Sequence, residues 1–211
     1  MSTRPLIIFG CGEIASMAKF YFENDAGRKV VAFTVDDDFA GPETFEGLPL
    51  LGWSEVLERF SPTEVDMHVA LSYKKLNQLR QQKYEQAREA GYVLISYICS
   101  SARVWPDLIH GDNCFILEHQ IIQPTVKIGR NVMLWSGNHI GHGTMIGDHT
   151  YFASHVVVSG HCNIGQRCFF GVNATIRDFI TIGDDCFVTM GASVNKNMSK
   201  GAVALAPSST I

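Results

Sequence analysis

The stretch HIGHGTMIGDHTYFASHVVVSGHCNIG, residues 139–165, decides the fold. Ile140, Ile146, Phe152, Val158 and Ile164 stand six residues apart, and four residues after each comes a compact one: Thr144, Thr150, Val156, Cys162 and Cys168. Glycine follows the large residue at 141, 147 and 165. The register extends both ways. Ile116, Ile122, Ile128 and Leu134 precede it, and Phe170, Ile176, Ile182, Val188 and Val194 follow, so fourteen successive positions are large and apolar. Hydrophobic residues make up 46% of the chain, and at that rate chance would give such a run less than about once in ten thousand trials. An internal repeat of fixed period means a solenoid. A six-residue unit matches the left-handed parallel β-helix, in which each hexad is one flat side of a triangular coil and about eighteen residues complete a turn. The large residue points inward, the compact one fills the corner, and glycine tolerates the turn. Fourteen hexads amount to four to five coils, with residues one coil apart stacked at about 4.8 Å.

Ahead of about residue 100 the pattern is different. Leu6–Phe9 reads as a buried strand, Glu13–Asn24 as a helix, 30–34 as a second strand and 53–60 as a short helix. A third strand over 65–72, a charged amphipathic helix over 76–90 and a fourth strand over 92–98 complete the half. Strands alternating with helices imply βαβ units around a parallel sheet. The expected fold is an α/β Rossmann-like N-terminal domain, residues 1–100, followed by an all-β left-handed parallel β-helix of hexapeptide repeats, residues 101–211.

A chain of 211 residues accommodates two such units. Its net charge of −4, without a run of lysines or arginines, argues against nucleic acid or an anionic membrane as partner. The first apolar run, Leu6–Phe9, is too short for a signal-peptide core or a membrane span. The protein is therefore expected in the cytoplasm, with its six cysteines reduced. Cys114, Cys162, Cys168 and Cys186 fall in the compact-residue phase, where free cysteine packs as a small hydrophobe. No C-x-x-C pair exists, so no zinc site is expected.

Three further stretches carry a resemblance. They are Gly10-Cys11-Gly12 after the first strand, Asp37-Asp38-Phe39 after the second, and His142-Gly143-Thr144-Met145-Ile146-Gly147-Asp148-His149 among the hexads. Over essentially its whole length the chain resembles the bacterial sugar acetyltransferases of the PglD/NeuD type. These are hexapeptide-repeat enzymes that acetylate nucleotide-linked amino sugars, or sialic acid hydroxyls, from acetyl-coenzyme A. The resemblance implies an acetyl-CoA-dependent N-acetyltransferase acting on a nucleotide-linked amino sugar for surface glycan synthesis. It also implies a homotrimer with ligands between neighbouring subunits, acetyl-CoA as co-substrate and no metal. A sialic acid-type O-acetyltransferase and a non-catalytic sugar-nucleotide-binding protein are the alternatives. A γ-type carbonic anhydrase is set aside, because its H-x4-H pair is missing: five residues separate His155 from His161.

Gly10-Cys11-Gly12-Glu13 fits a strand–turn–helix site in which the helix N-terminus offers free amide protons to an anion. Alone, the motif suits NAD or a plain tight turn equally well. Asp36-Asp37-Asp38 follows the second strand, where an acid accepts hydrogen bonds from a ribose or base, or merely makes a solvated loop. The resemblance favours a nucleotide sugar. It assigns substrate binding to Gly10, Gly12, Glu13, Asp37, Asp38 and Ser72.

Seven of the eight histidines lie in the repeat region. A lone histidine on a β-helix face is ordinarily solvated or structural. His142 occupies the family's general-base position, four residues before Ile146, and a neutral imidazole suits a base that takes a proton from an attacking amine. His139 is its nearest rival. In the family an acidic residue follows the catalytic histidine; here that position is Gly143. The second ring nitrogen of His142 therefore needs another acceptor. Asp148, a neighbouring chain or a backbone carbonyl are open, while Asp178, two coils above, is too far.

Family contacts to acetyl-CoA map to Tyr151, Val172 and Met190, with Tyr151 replacing a histidine. A column eighteen residues apart, His119, Gly137, His155, Asn173 and Gly191, is either a groove for the pantetheine arm or a turn column. On the first reading Asn173 and Gly191 join the acetyl-CoA site. The tail, 203–211, keeps Ala206-Pro207 but has no basic residue, leaving Lys196 and Lys200 to meet coenzyme phosphates.

Overall fold

A computed structural model describes residues 4–39 and 41–207, so the end of the tail, 208–211, lies outside the described residues. The chain begins with a strand apolar on both sides, β1 (Leu6–Phe9), then α1 (Glu13–Asn24) and β2 (Val30–Val35). A hairpin of β3 (Thr44–Phe45) and β4 (Leu48–Gly52) follows, then α2 (Trp53–Arg59), β5 (Asp66–Val69), α3 (Gln78–Glu89) and β6 (Val93–Leu94). The sheet order is β3-β4-β2-β1-β5-β6, parallel except for the hairpin. Alternation along β1 explains its composition. Leu6 and Ile8 pack with Ala15, Ala18 and Phe22 of α1, while Ile7 and Phe9 pack with Val56 of α2 and Tyr84 of α3. A central parallel strand covered on both faces needs an unbroken apolar run.

Two features depart from the expectation of four strands. The hairpin turns at Glu46 and Gly47, whose φ values of 50° and 74° belong to the mirror-image turn that matches strand twist. The strand expected over 92–98 is broken. Val93–Leu94 stays beside β5, whereas Tyr97–Ile98 pairs with Phe115–Ile116 in the repeat region. Ser96 makes the break: its hydroxyl donates to Gly111 O at 3.0 Å and accepts the Cys114 N–H at 2.9 Å.

The repeat region is a left-handed parallel β-helix with three flat faces. Among the described residues the first face has seven strands, from Tyr97–Ile98 to Val203–Ala204. The second has five, from Ile121–Ile122 to Ser193–Val194, and the third five, from Ile109–His110 to Thr181–Ile182. The register is the expected coil, with His139 between Ile121 and Val157. All fourteen large residues of the repeat are 5% exposed or less. Cys114, Cys162, Cys168 and Cys186 are buried free thiols, and burial pushes Cys114 and Cys168 up to about 12. Each corner turns through a left-handed residue just before the compact one. His119, Gly137, His155, Asn173 and Gly191 form one such column, with φ between 56° and 80°, so its glycines and asparagine answer to a backbone demand. No helix among the described residues is long and apolar enough to cross a membrane.

The first face carries the α/β unit on its outer side, where Tyr97, Phe115, Met133, Tyr151 and Phe169 join the core containing Phe22 and Ala18. A buried polar network fixes α3 to the opposite corner. Lys75, Leu76 and Asn77 take left-handed φ values of 54°, 51° and 64°, so α3 starts at Gln78 rather than 76. The Asn77 amide donates to Arg167 O and Cys168 O at 3.2 and 3.0 Å. Arg80, 1% exposed, donates to Asn77 Oδ1 at 2.9 Å, His149 O at 2.8 Å, Asn131 Oδ1 at 3.0 Å and Asn131 O. Burial lowers its guanidinium to about 10, so it stays charged at neutral pH.

This network has a pH signature. Burial, reinforced by the Arg80 charge, lowers the imidazoles of His68 and His149 to about 4 each. In the unfolded chain both titrate near 6.5. Between those values the unfolded chain binds more protons than the folded one, so stability falls as pH drops through that window. Each histidine contributes at most about 1.4 kcal/mol per pH unit. Thermal midpoints should decline from about pH 6.5 downward, and a flat profile to about pH 4.5 would contradict neutral buried imidazoles.

Candidate active site

The turn between β1 and α1 builds one half of the site. Gly10 has φ 130°, and a Cβ there would stand 2.7 Å from Ala70 O, so only glycine lets the turn pass β5 this closely. Gly12 precedes α1 and no side chain caps the helix, which leaves its first amides free for a ligand. A cavity of about 390 Å³ lies here against the first face, lined by Gly12, Glu13, Ser72, Tyr73, Trp135 and Tyr151 among others. A second, of about 690 Å³, continues past Trp135 over Cys11, Gly12, Glu13, Ser16 and Glu46. The indole Nε1 of Trp135 is buried here beside the Tyr151 hydroxyl. Gly12, Glu13 and Ser72 thus converge. Asp37 and Asp38 line neither cavity, although they follow β2, the strand beside β1. Asp37 is engaged at the start of α2, accepting the Ser54 N–H at 2.9 Å and the Ser54 hydroxyl at 2.6 Å. Those bonds hold its carboxyl below the usual range.

His142 lies on the corner between the second and third faces, exposed. Its Nδ1 is 2.9 Å from Gln123 Oε1, and its backbone N–H donates to that same oxygen at 2.8 Å. Gln123 is one coil below, directly after Ile122, where six of the fourteen hexads place glycine. On the coil above, His161 meets the His142 ring edge-on at 4.9 Å and stacks on Phe179 at 5.0 Å. Gly160 makes room: a Cβ there would stand 2.9 Å from His142 Cε1. Gly143 does the same for His161, since a Cβ at 143, with φ 67°, would stand 2.6 Å from its Nδ1. The position where the family carries an acid therefore has no space for a side chain while His161 holds its place. Asp148, left open as an acceptor for His142, is on another corner and receives the Arg130 N–H at 2.7 Å. His139, the rival base, is half-buried on the second-face strand.

The residues expected at acetyl-CoA are not together. Tyr151 is 5% exposed, stacked on Phe169 at 5.5 Å and edge-on to Tyr73 at 5.1 Å, and burial pushes its hydroxyl up to about 12. Val172 and Met190 are exposed, stacked on the corner between the first and second faces beside Asn173 and Gly191. His142 stands at the opposite edge of the second face. Toward the C-terminal coils on the His142 corner, Arg177, Phe179 and Lys196 border a cavity of about 500 Å³. Lys200 is 3.7 Å from Asp185. Among the described residues no three His, Cys, Asp or Glu side chains cluster as metal ligands do.

Residues 125–160 match the family model described as bacterial transferase hexapeptide (six repeats), and 163–196 match the hexapeptide repeat of succinyl-transferase. The chain carries the bacterial transferase hexapeptide repeat. Its fold is shared along nearly the whole chain by solved structures. PerB from Caulobacter crescentus, in complex with CoA and GDP-perosamine, is 23% identical with a TM-score of 0.85, covering 98% of this chain and 99% of its own. The acetyltransferase domain of PglB from Neisseria gonorrhoeae, in complex with acetyl coenzyme A, is 21% identical with a TM-score of 0.85, covering 98% and 100%. WeeI from Acinetobacter baumannii is 18% identical with a TM-score of 0.80, covering 94% and 95%. The α/β unit ahead of the hexapeptide repeats is therefore part of one shared architecture.

Proposed function

We propose that the protein is an acetyl-CoA-dependent N-acetyltransferase of the PglD/NeuD type, acting on an amino sugar carried by a nucleotide. The observation that carries this reading is His142, a solvent-facing imidazole whose Nδ1 is tied to Gln123 and whose Nε2 is left for a proton. The amine nitrogen attacks the thioester carbonyl carbon and gives its proton to Nε2. The tetrahedral intermediate then collapses, the C–S bond breaks, and the leaving thiolate takes the proton back from the imidazolium.

Residues 1–100 serve on this reading as a Rossmann-like nucleotide-sugar-binding domain, and 101–211 as the acetyltransferase domain. Gly12, Glu13 and Ser72 line the cavity that would hold the nucleotide, with Gly10 shaping its turn, while Asp37 and Asp38 stand outside its lining. Val172, Asn173, Met190 and Gly191 would meet acetyl-CoA along one corner, with Tyr151 beneath the nucleotide cavity. Within one chain that cavity and His142 border opposite edges of the second face, so the sugar held by one subunit reaches His142 of its neighbour. The exposed Ile121, Met145, Val157 and Phe179 around His142 supply apolar surface for that contact, in a homotrimer working in the cytoplasm. A non-catalytic role rested on the missing acid at Gly143, and the Gln123 contact removes that argument.

Thermal shift with UDP-, dTDP- and GDP-linked amino sugars tests the nucleotide assignment. One nucleotide class should raise the midpoint, because a ligand that binds only the folded state stabilises it. No shift with any class would contradict the cavity assignment.

A further inference from the structure

Gln123 Oε1 accepts two hydrogen bonds from a single residue, the His142 backbone N–H at 2.8 Å and the ring Nδ1 at 2.9 Å. The first fixes the orientation of the amide. A backbone N–H has no lone pair to offer, so the atom it meets must be the carbonyl oxygen and not the NH2 group. The second then fixes the ring. An oxygen lone pair 2.9 Å from Nδ1 is attractive only when Nδ1 carries the proton, so the neutral imidazole keeps its lone pair on Nε2. Space agrees with this. Gly160 lets the ring lie across the next coil, and Gly143 lets His161 close over its edge.

We propose that Gln123 is the positioning residue of this site, holding His142 in the Nδ1–H tautomer in place of an acidic neighbour. The proposal rests on His142 being the base. A neutral amide orients the ring as a carboxylate would, yet it adds no negative charge to stabilise the imidazolium. The groups facing His142 agree with an orienter that works without charge. His161 is the titratable side chain in ring contact. Two coils above, Asp178 lies 3.7 Å from Arg177, and below, Asp107 accepts the Thr125 N–H at 2.9 Å. The exchange carries a consequence: a carboxylate placed at 123 should strengthen the base while keeping the geometry.

Long-range nitrogen–proton correlation NMR of the histidine rings reads the tautomer directly, in the protein without substrate. Wild type should show His142 protonated on Nδ1, and Gln123→Ala should show a mixture of tautomers or a shift to Nε2–H. In turnover, Gln123→Ala should lower kcat about 10-fold with little change in KM. Gln123→Glu should keep the tautomer and move the acid limb of the kcat/KM profile upward by about one pH unit relative to wild type. An Nε2–H tautomer in wild type, or a Gln123→Ala protein with an unchanged tautomer, would overturn the proposal. Failure of acetyl transfer by wild type itself would strike the functional reading alone, because the NMR result stands without turnover.

Discussion

His142→Ala should lower kcat by about two to four orders of magnitude, the range a positioned general acid–base supplies. The ring is solvent-facing, and its contacts are Gln123 and His161 rather than core side chains. Truncation should therefore leave the thermal midpoint close to wild type. KM for the sugar should change little, since on the proposed reading the α/β unit and not this corner holds the nucleotide. His139→Ala is the matched control: it removes the neighbouring histidine and should keep most of the activity. Turnover by His142→Ala within a few-fold of wild type would transfer the role elsewhere or remove it.

Arg80→Ala should cause a comparably large loss, in stability. Its guanidinium supplies donors to Asn77 Oδ1, His149 O and both oxygens of Asn131, all buried. Removing it strands those acceptors away from water and opens a void between α3 and the corner. At about 1 kcal/mol for each unmade bond, the loss is about 3 kcal/mol or more. For a chain of this length that lowers the thermal midpoint by roughly 6–12 °C. Arg80→Lys keeps a charge but cannot span the same set of carbonyls, so it should recover only part of the loss. A midpoint within about 2 °C of wild type for Arg80→Ala would show that the network closes without its guanidinium.

The contrast between these residues shows how far the chain can be read without coordinates. The hexad register is legible because each large residue answers to one geometric rule, and the structure buries every one of them. The parallel α/β unit is legible for a similar reason, since β1 has to be apolar on both sides. The hairpin of β3 and β4 escaped because Glu46-Gly47 is a weak turn signal, though both residues adopt left-handed φ. The break at Ser96 escaped because an apolar run carries no mark of which sheet each half will join.

At the site, the hexad register sets His142 on a corner and the glycine spacing marks the turn at Gly12, but it is the family resemblance that singles out His142 and a nucleotide sugar. The acceptor for His142 could not be placed, because Gln123 is nineteen residues away and stacks only once the coil closes. A glutamine where six of the hexads place glycine was the available clue. The Arg80 network was less legible still: its partners lie 51 and 69 residues along the chain. The acidic run divides in the structure, with Asp36 paired to Lys83 and Asp37 bound to Ser54.

Product analysis after incubation with acetyl-CoA and the nucleotide-linked amino sugars tests the central claim most directly. Mass spectrometry should find one acetyl group on the sugar nitrogen, as an amide stable to hydroxylamine, with one free coenzyme thiol released per acetyl transferred. No thiol release with any amino sugar, or a hydroxylamine-labile ester in place of the amide, would contradict it.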